Sequence, residues 1–294
     1  MKNKSLVKIS ARAGYSLALL LFILLFDSCA SLSKYKGVGR IRRYTIEQQS
    51  IPAEFDGFTI AFLSDTHYPS KFTRKRLAET VRALNDLSPD LILLGGDYMT
   101  DLSYADELFA SIGSSPVPYG TYAVLGNHDT RNADTLCKAM LRNGISPLRD
   151  TADTISIDGA RIFLCGVENY RTSDKQWVER HTADGFTIVA VHSPDYACDY
   201  SLGGNALQLS GHTHGGQVTL LGLYAPETNS KYGRRFLSGL NYTTGNIPVI
   251  TSNGLGTSRR KIRFCAPSDI IFVTLQHDKK KRPRVITTKD RPGN

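Results

Sequence analysis

The chain has 294 residues, 41% of them hydrophobic, and a formal net charge of +9. That length and apolar content suffice for one large domain with a sizeable core. Residues 1–14 hold four of the excess positive charges and residues 277–294 hold five, which leaves the body between them formally neutral. The basic balance therefore does not argue for a nucleic-acid-binding face, and no nucleic acid is expected as a partner.

The first stretch reads as an export leader. Lys2, Lys4, Lys8 and Arg12 form a basic region ahead of an apolar run over residues 15–26, which is too short to span a bilayer comfortably as a mature helix. Asp27-Ser28-Cys29-Ala30 follows, and a cysteine after a small residue resembles the lipid-attachment site of a bacterial lipoprotein. Asp27 departs from that pattern. Residues 1–29 are thus a lipoprotein leader, an uncleaved anchor or a plain secretion signal, and no twin-arginine pair precedes the apolar run. Each reading puts the remainder outside the cytoplasm, and the first two hold it at the cell envelope. Residues 30–54 are polar and mixed, and read as a tether plus an entry strand.

From Thr59 onward a short apolar run is repeatedly followed by a turn rich in Asp, Asn, His and Gly. The runs cover residues 60–63, 91–94, 122–125, 187–191, 206–209 and 249–250. Their length and β-branched content predict buried strands. Between them, residues 74–87 place Leu77, Val81 and Leu84 on one helical face. A second helix starts near Ser103-Tyr104-Ala105-Asp106 and stops at Gly113, and a third covers residues 132–143, ended by Gly144. The alternation predicts an α/β layered domain, with more strands and fewer helices after residue 155. There is no internal repeat. Cys137, Cys165, Cys198 and Cys265 form no C-x-x-C pair and read as core residues, with one or two disulfides open to a protein outside the cytoplasm. Residues 277–294 read as a solvated basic tail.

Five strand ends share one chemistry. They are Asp65-Thr66-His67, Gly95-Gly96-Asp97, Gly126-Asn127-His128-Asp129, His192, and Gly211-His212-Thr213-His214-Gly215-Gly216-Gln217. Strands of one sheet deliver their C-terminal ends to one edge, where ligands bind. In an extended chain residues i and i+2 face the same side, so Asp65 with His67, and His212 with His214, can each aim at one point. The candidate metal ligands are Asp65, His67, Asp97, Asn127, His192, His212 and His214. Seven is too many for one zinc ion and suits two divalent ions sharing a carboxylate, for which Asp97 is the natural bridge. The absence of thiolates favours manganese, iron or zinc. Two such ions about 3.5–4 Å apart activate a water and clamp an in-line displacement at phosphorus.

The order D-x-H, G-D, G-N-H-D, H, G-H-x-H resembles the calcineurin-like metallophosphoesterases over about residues 58–275. Gly215-Gly216-Gln217 and Asn253-Gly254-Leu255-Gly256-Thr257 are similar to the membrane-associated, YkuE-like branch. The resemblance implies a four-layer α-β-β-α sandwich, two mixed β-sheets flanked by helices, over residues 55–276. It implies one metal on Asp65, His67, Asp97 and His214 and another on Asp97, Asn127, His192 and His212. His128 would contact substrate, protonating the leaving oxygen or stabilising phosphoryl charge, with Asp129 orienting it. The expected activity is a phosphodiesterase or pyrophosphatase acting on a cell-envelope or lipid-linked phosphate. The alternatives are a phosphomonoesterase on a small or protein phosphate ester and a non-catalytic scaffold. Arg234, Arg235, Arg259, Arg260, Lys261 and Arg263 are either anion contacts or a solvated charge run. Tyr68 stacks on a base or covers the site. His181 and His277 match nothing and read as surface residues.

Overall fold

The computed structural model describes residues 34–168, 176–199, 202–220 and 224–278, and the backbone of a strand at Arg284–Thr288. The leader and Cys29 lie outside the described residues. Among the described residues no helix is long and apolar enough to cross a membrane.

Two mixed sheets carry the chain. The first contains β1 (Arg40–Gln48), β2 (Thr59–Leu63), β3 (Leu91–Leu94), β4 (Thr121–Ala123), β5 (Ile145–Pro147), β12 (Asp269–His277) and β13 (Arg284–Thr288), in the order β13-β1-β12-β2-β3-β4-β5. The second contains β6 (Thr151–Ile157), β7 (Ala160–Val167), β8 (Thr187–Val191), β9 (Ala206–Ser210), β10 (Gly239–Tyr242) and β11 (Pro248–Thr251), in the order β10-β11-β9-β8-β7-β6. Strands β2 to β5 run parallel, as do β7, β8, β9 and β11. Strand β12 enters antiparallel between β2 and the parallel-paired β1.

Side-chain alternation explains why these strands need cover on both faces. In β2, Ile60 and Phe62 join Leu91, Leu93 and Val273 in a core shared with Ile162, Leu164, Ile188, Leu207 and Ile250 of the second sheet. The sheets therefore pack face to face. Ala61 and Leu63 point the other way, with Ile92 and Leu94, into a second core. That core is closed by α1 (Arg74–Leu87), α2 (Ala105–Gly113) and α3 (Ala133–Arg142). Over the outer face of the second sheet, Val178 of α4 (Gln176–Asp184) and Tyr196 of α5 (Tyr196–Asp199) meet Cys165, Val167, Val189 and Val191. The result is the expected α-β-β-α sandwich. In α1, Thr73 caps the first turn by accepting from the Arg76 amide at 3.4 Å, and Leu77 and Leu84 are buried while Val81 is half-buried.

Four expectations change. The ligand-bearing strand ends come from both sheets, not one: β2, β3 and β4 belong to the first, β8 and β9 to the second. Residues 284–288, read as part of a solvated tail, pair antiparallel with β1. Strand β1, placed outside the domain with the tether, is paired on both edges within it. Cys137, Cys165, Cys198 and Cys265 are all free thiols, so no disulfide staples the described residues.

Candidate metal centre

Each parallel strand ends in a tight loop, and those loops meet. After β2 and β3 the backbones stay paired beyond the ladder: the Asp65 amide donates to Gly96 O (2.9 Å), the His67 amide to Asp97 O (3.1 Å) and the Tyr68 amide to Tyr98 O (2.8 Å). The Asn253–Thr257 loop docks on the same segment, with the Gly256 amide donating to Asp65 O. Asp65, His67, Asp97, His212 and His214 all have left-handed backbones, with φ of 55°, 46°, 57°, 72° and 53°. Non-glycine residues pay for that conformation, and it persists where surrounding contacts over-determine it. The cross-loop hydrogen bonds supply that constraint.

This backbone corrects the extended-chain argument. Asp65 and His67 do face one group, but His212 and His214 divide. One group is Asp65, His67 and His214, and the other is Asp97, His192 and His212. His67 Nε2 lies 3.3 Å from His214 Nε2, and the latter is 3.4 Å from Asp65 Oδ1. In the second group His192 Nε2 is 3.3 Å from Asp97 Oδ2. The same oxygen is 3.7 Å from His67 Nε2, so Asp97 lies between the two groups. Asn127 is exposed on the loop that follows β4.

The residues fit a pair of divalent cations. Asp65 Oδ1 and His192 Nε2 are buried without a hydrogen-bond partner, a costly state that a cation would relieve. The other carboxylate oxygens are held by protein: Asp65 Oδ2 accepts from Ser64 Oγ and the His212 amide, and Asp97 Oδ1 from the His128 amide. His192 Nδ1 sits 2.7 Å from Gly95 O, which can only accept, so Nδ1 carries a proton and Nε2 is the atom turned toward the ligand group. Burial pushes His212 and His214 down to about 4, and lowers His67. Burial also opposes charge on His192, but Asp97 and Asp65 outweigh it and raise that imidazole to about 10; a cation bound beside the two carboxylates would take the place of the Nε2 proton. The same pairing overcomes burial to hold both carboxyls below their usual range.

Two glycines are required by close approach. A Cβ on Gly211 would collide with Ser64 Oγ and the Asp65 carboxylate, and one on Gly126 with the Asp97 carboxylate. Both lie where the loops of different strands touch.

His128 stands apart. Its side chain is 59% exposed, and Nε2 is 4.0 Å from Asp97 Oδ2. Its ring meets the His67 ring edge-on at 5.4 Å. Asp129, expected to orient His128, instead spends its buried carboxylate on backbone: it accepts from the amides of Asp97 (2.6 Å), Gly126 (2.8 Å) and Tyr98 (3.1 Å). Burial, then the neighbouring Asp97 charge, push its carboxyl up to about 7. It therefore holds the loops after β3 and β4 together.

Of the basic candidates, Arg263 is structural. Its guanidinium donates to the carbonyls of Asn253, Gly256, His214 and Ala266, and burial lowers it to about 10. It ties the histidine-pair loop to the glycine loop, a role that exposure of its neighbours at 259–262 conceals in the sequence. Arg259, Arg260 and Lys261 are exposed. Tyr68 is buried and donates to Glu107 (2.6 Å), so it does not stack on a ligand. His181 and His277 belong to neither group and are half-buried, each with Nδ1 against a backbone carbonyl, Trp177 O and Ile51 O respectively.

Comparison with known proteins identifies the family. The calcineurin-like phosphoesterase family profile matches residues 58–216. The chain is 31% identical over 245 residues to the metallophosphoesterase YkuE of Bacillus subtilis (strain 168), covering 79% of this chain and 84% of that protein. It is 32% identical over 210 residues to the phosphodiesterase YaeI of Escherichia coli (strain K12), covering 68% and 76%. A transmembrane protein with metallophosphoesterase domain from Danio rerio is 26% identical over 251 residues, covering 79% of this chain and 56% of that protein.

Proposed function

The chain belongs to the calcineurin-like phosphoesterase family and is a hydrolase of phosphoric ester bonds; from that premise we propose that it is a phosphodiesterase or pyrophosphatase acting on a cell-envelope or lipid-linked phosphate. The observation that carries the reading is the juxtaposition of two ligand groups across the two sheets. The family uses divalent metals. Asp65, His67 and His214 would hold one cation, with Asp97 reaching it as well, and Asp97, His192, His212 and the Asn127 amide oxygen would hold the other. Cations of the manganese, iron or zinc kind would supply Lewis acidity toward the phosphoryl oxygens and depress the pKa of an attacking water.

The chain's own residues do the rest. His128, exposed beside Asp97, is the group free to reach a substrate oxygen, and it protonates the leaving alkoxide. Asp129 acts one step back by fixing the backbone of Asp97 and Gly126. A small cavity lined by Thr100, Asp101, Asn132 and His128 leaves room for part of a leaving group. The name of the Escherichia coli relative favours diesters over monoesters.

The test is turnover by the manganese-loaded full chain. Bis(p-nitrophenyl) phosphate is expected to exceed p-nitrophenyl phosphate in kcat/KM, and a screen of envelope phosphodiesters and nucleotide-linked lipids should then yield a substrate. A clear preference for the monoester sinks the diesterase reading. Attachment at the envelope rests on Cys29 and its basic, apolar leader; Cys29→Ser should abolish incorporation of labelled fatty acid, and absence of label on the natural chain leaves an uncleaved anchor.

A further inference from the structure

Five of the seven strongly exposed large hydrophobic side chains among the described residues come from two short segments beside the metal centre. They are Val218, Leu220, Tyr224, Ile262 and Phe264, with exposures from 43% at Val218 to 63% at Leu220. Leu141 and Tyr242 lie in α3 and β10 instead. Scattered exposed hydrophobics need no explanation, whereas a contiguous group does.

The group is contiguous because the segments pair. Val218 bridges Phe264 in parallel and Leu220 bridges Tyr224 in antiparallel fashion. The Phe264 amide donates to Gln217 O and the Thr219 amide to Phe264 O, both at 2.9 Å. Within each segment exposure alternates. Thr219 turns inward and its hydroxyl donates to Cys265 O at 3.0 Å, while Arg263 turns inward onto the backbone carbonyls described above. Val218 and Leu220 on one side of the bridge, and Ile262 and Phe264 on the other, are left facing outward, as a period of two requires. The ledge also carries charge. Arg259, Arg260 and Lys261 are exposed in the turn that leads into it. Glu227, 3.1 Å from Arg259, offsets one of the three.

The ledge is firmly joined to the centre. Gln217 ends the motif that holds His212 and His214. Its amide side chain donates to Arg260 O (2.9 Å) and accepts from the Ser258 amide (2.7 Å). Arg263, between Ile262 and Phe264, donates to His214 O at 2.9 Å.

We propose that this ledge is a docking surface for an anionic lipid bilayer, which seats the catalytic domain on the membrane with the ligand cluster held at a fixed place relative to it. Aliphatic and aromatic side chains would enter the interface while the adjoining cations meet acidic headgroups, the pairing that interfacial segments use. The cations argue for lipid over a second copy of this chain, whose body is formally neutral. The inference does not depend on which phosphoester is cleaved or on the fate of Cys29.

Hydrogen exchange on the full chain tests it, because attachment through the leader alone would not protect the ledge. Vesicles of equal parts phosphatidylglycerol and phosphatidylcholine should slow exchange at residues 217–220 and 259–264, and pure phosphatidylcholine vesicles should do so far less. Arg260→Gln/Lys261→Gln should weaken docking about fivefold for each cation removed, and raised salt should mimic it. Leu220→Ser/Ile262→Ser should abolish the protection and leave hydrolysis of bis(p-nitrophenyl) phosphate in solution unchanged. Binding to vesicles without protection at the ledge overturns the proposal. So does protection that appears without lipid and rises with protein concentration, since it would mark an interface between copies.

Discussion

The two sheets contribute unequally to the centre. The first sheet brings both carboxylates, Asp65 and Asp97, together with His67, Asn127 and His128, whereas the second brings three imidazoles, His192, His212 and His214. Neither half assembles a full ligand group: Asp65 and His67 need His214, and Asp97 needs His192 and His212. Both carboxylate ligands sit on one wall and the other offers only imidazoles, so a cation bound there would cross-link the sandwich as well as serve the chemistry. Stability and catalysis would then be coupled through the seam between the sheets.

The comparison breaks most severely at Asp97, which stands between the two groups. Asp97→Ala should lose both ions and lower turnover by about 10⁴-fold or more, the scale seen when an integrated catalytic unit is dismantled. Elemental analysis beside a rate assay checks it, and two tightly held ions per chain in the variant would show that Asp97 is not shared. His128 belongs to the first wall but to neither ligand group. His128→Ala should retain both metals and the fold while kcat falls about 10²–10⁴-fold. The loss should be greater on an alkyl diester than on a nitrophenyl one, whose leaving group needs less protonation. Equal losses would assign His128 to phosphoryl charge, and a variant without metal would make it a ligand.

The seam itself is tested by removing the cations. Saturating metal should stabilise the folded chain by about 2.7 kcal/mol when it stands a hundredfold above its Kd. Chelation should then lower Tm, and manganese should restore it; a Tm indifferent to chelation would detach stability from the cross-link. A milder disturbance is Gly211→Ala, whose Cβ enters the space of the Asp65 carboxylate across the two sheets. Overpacking of this kind costs about 1–3 kcal/mol and should lower both Tm and metal content. Gly204, with nothing within 4 Å of an added Cβ, is the control: Gly204→Ala should stay within about 0.5 kcal/mol. If the two alanines behave alike, close approach at Gly211 is not what keeps it glycine.

Much of this protein was legible in the chain alone. The apolar runs at 91–94 and 187–191 are strands with those bounds, the run at 60–63 lies in a strand that begins one residue earlier, and the helix over 74–87 has its predicted ends, because side-chain period and capping are local properties. Six of the seven residues offered as ligands converge in the structure, and they could be picked out because loops at the ends of parallel strands carry a compact vocabulary of Asp, Asn, His and Gly. The grouping of those residues was implied by the family resemblance alone, and its physical cause lies in the tertiary structure. Asp65 meets His212 across 147 positions, and left-handed turns split His212 from His214, a result no i, i+2 rule contains. Asp129 read as an orienting acid, and Arg263 as an anion contact or part of a solvated charge run, yet their carboxylate and guanidinium grip backbone, because burial leaves a charged group no alternative to whatever dipoles surround it. The strand at 284–288 was masked by the charges on either side of it, which drew the β-branched run Val285-Ile286-Thr287-Thr288 into a basic tail.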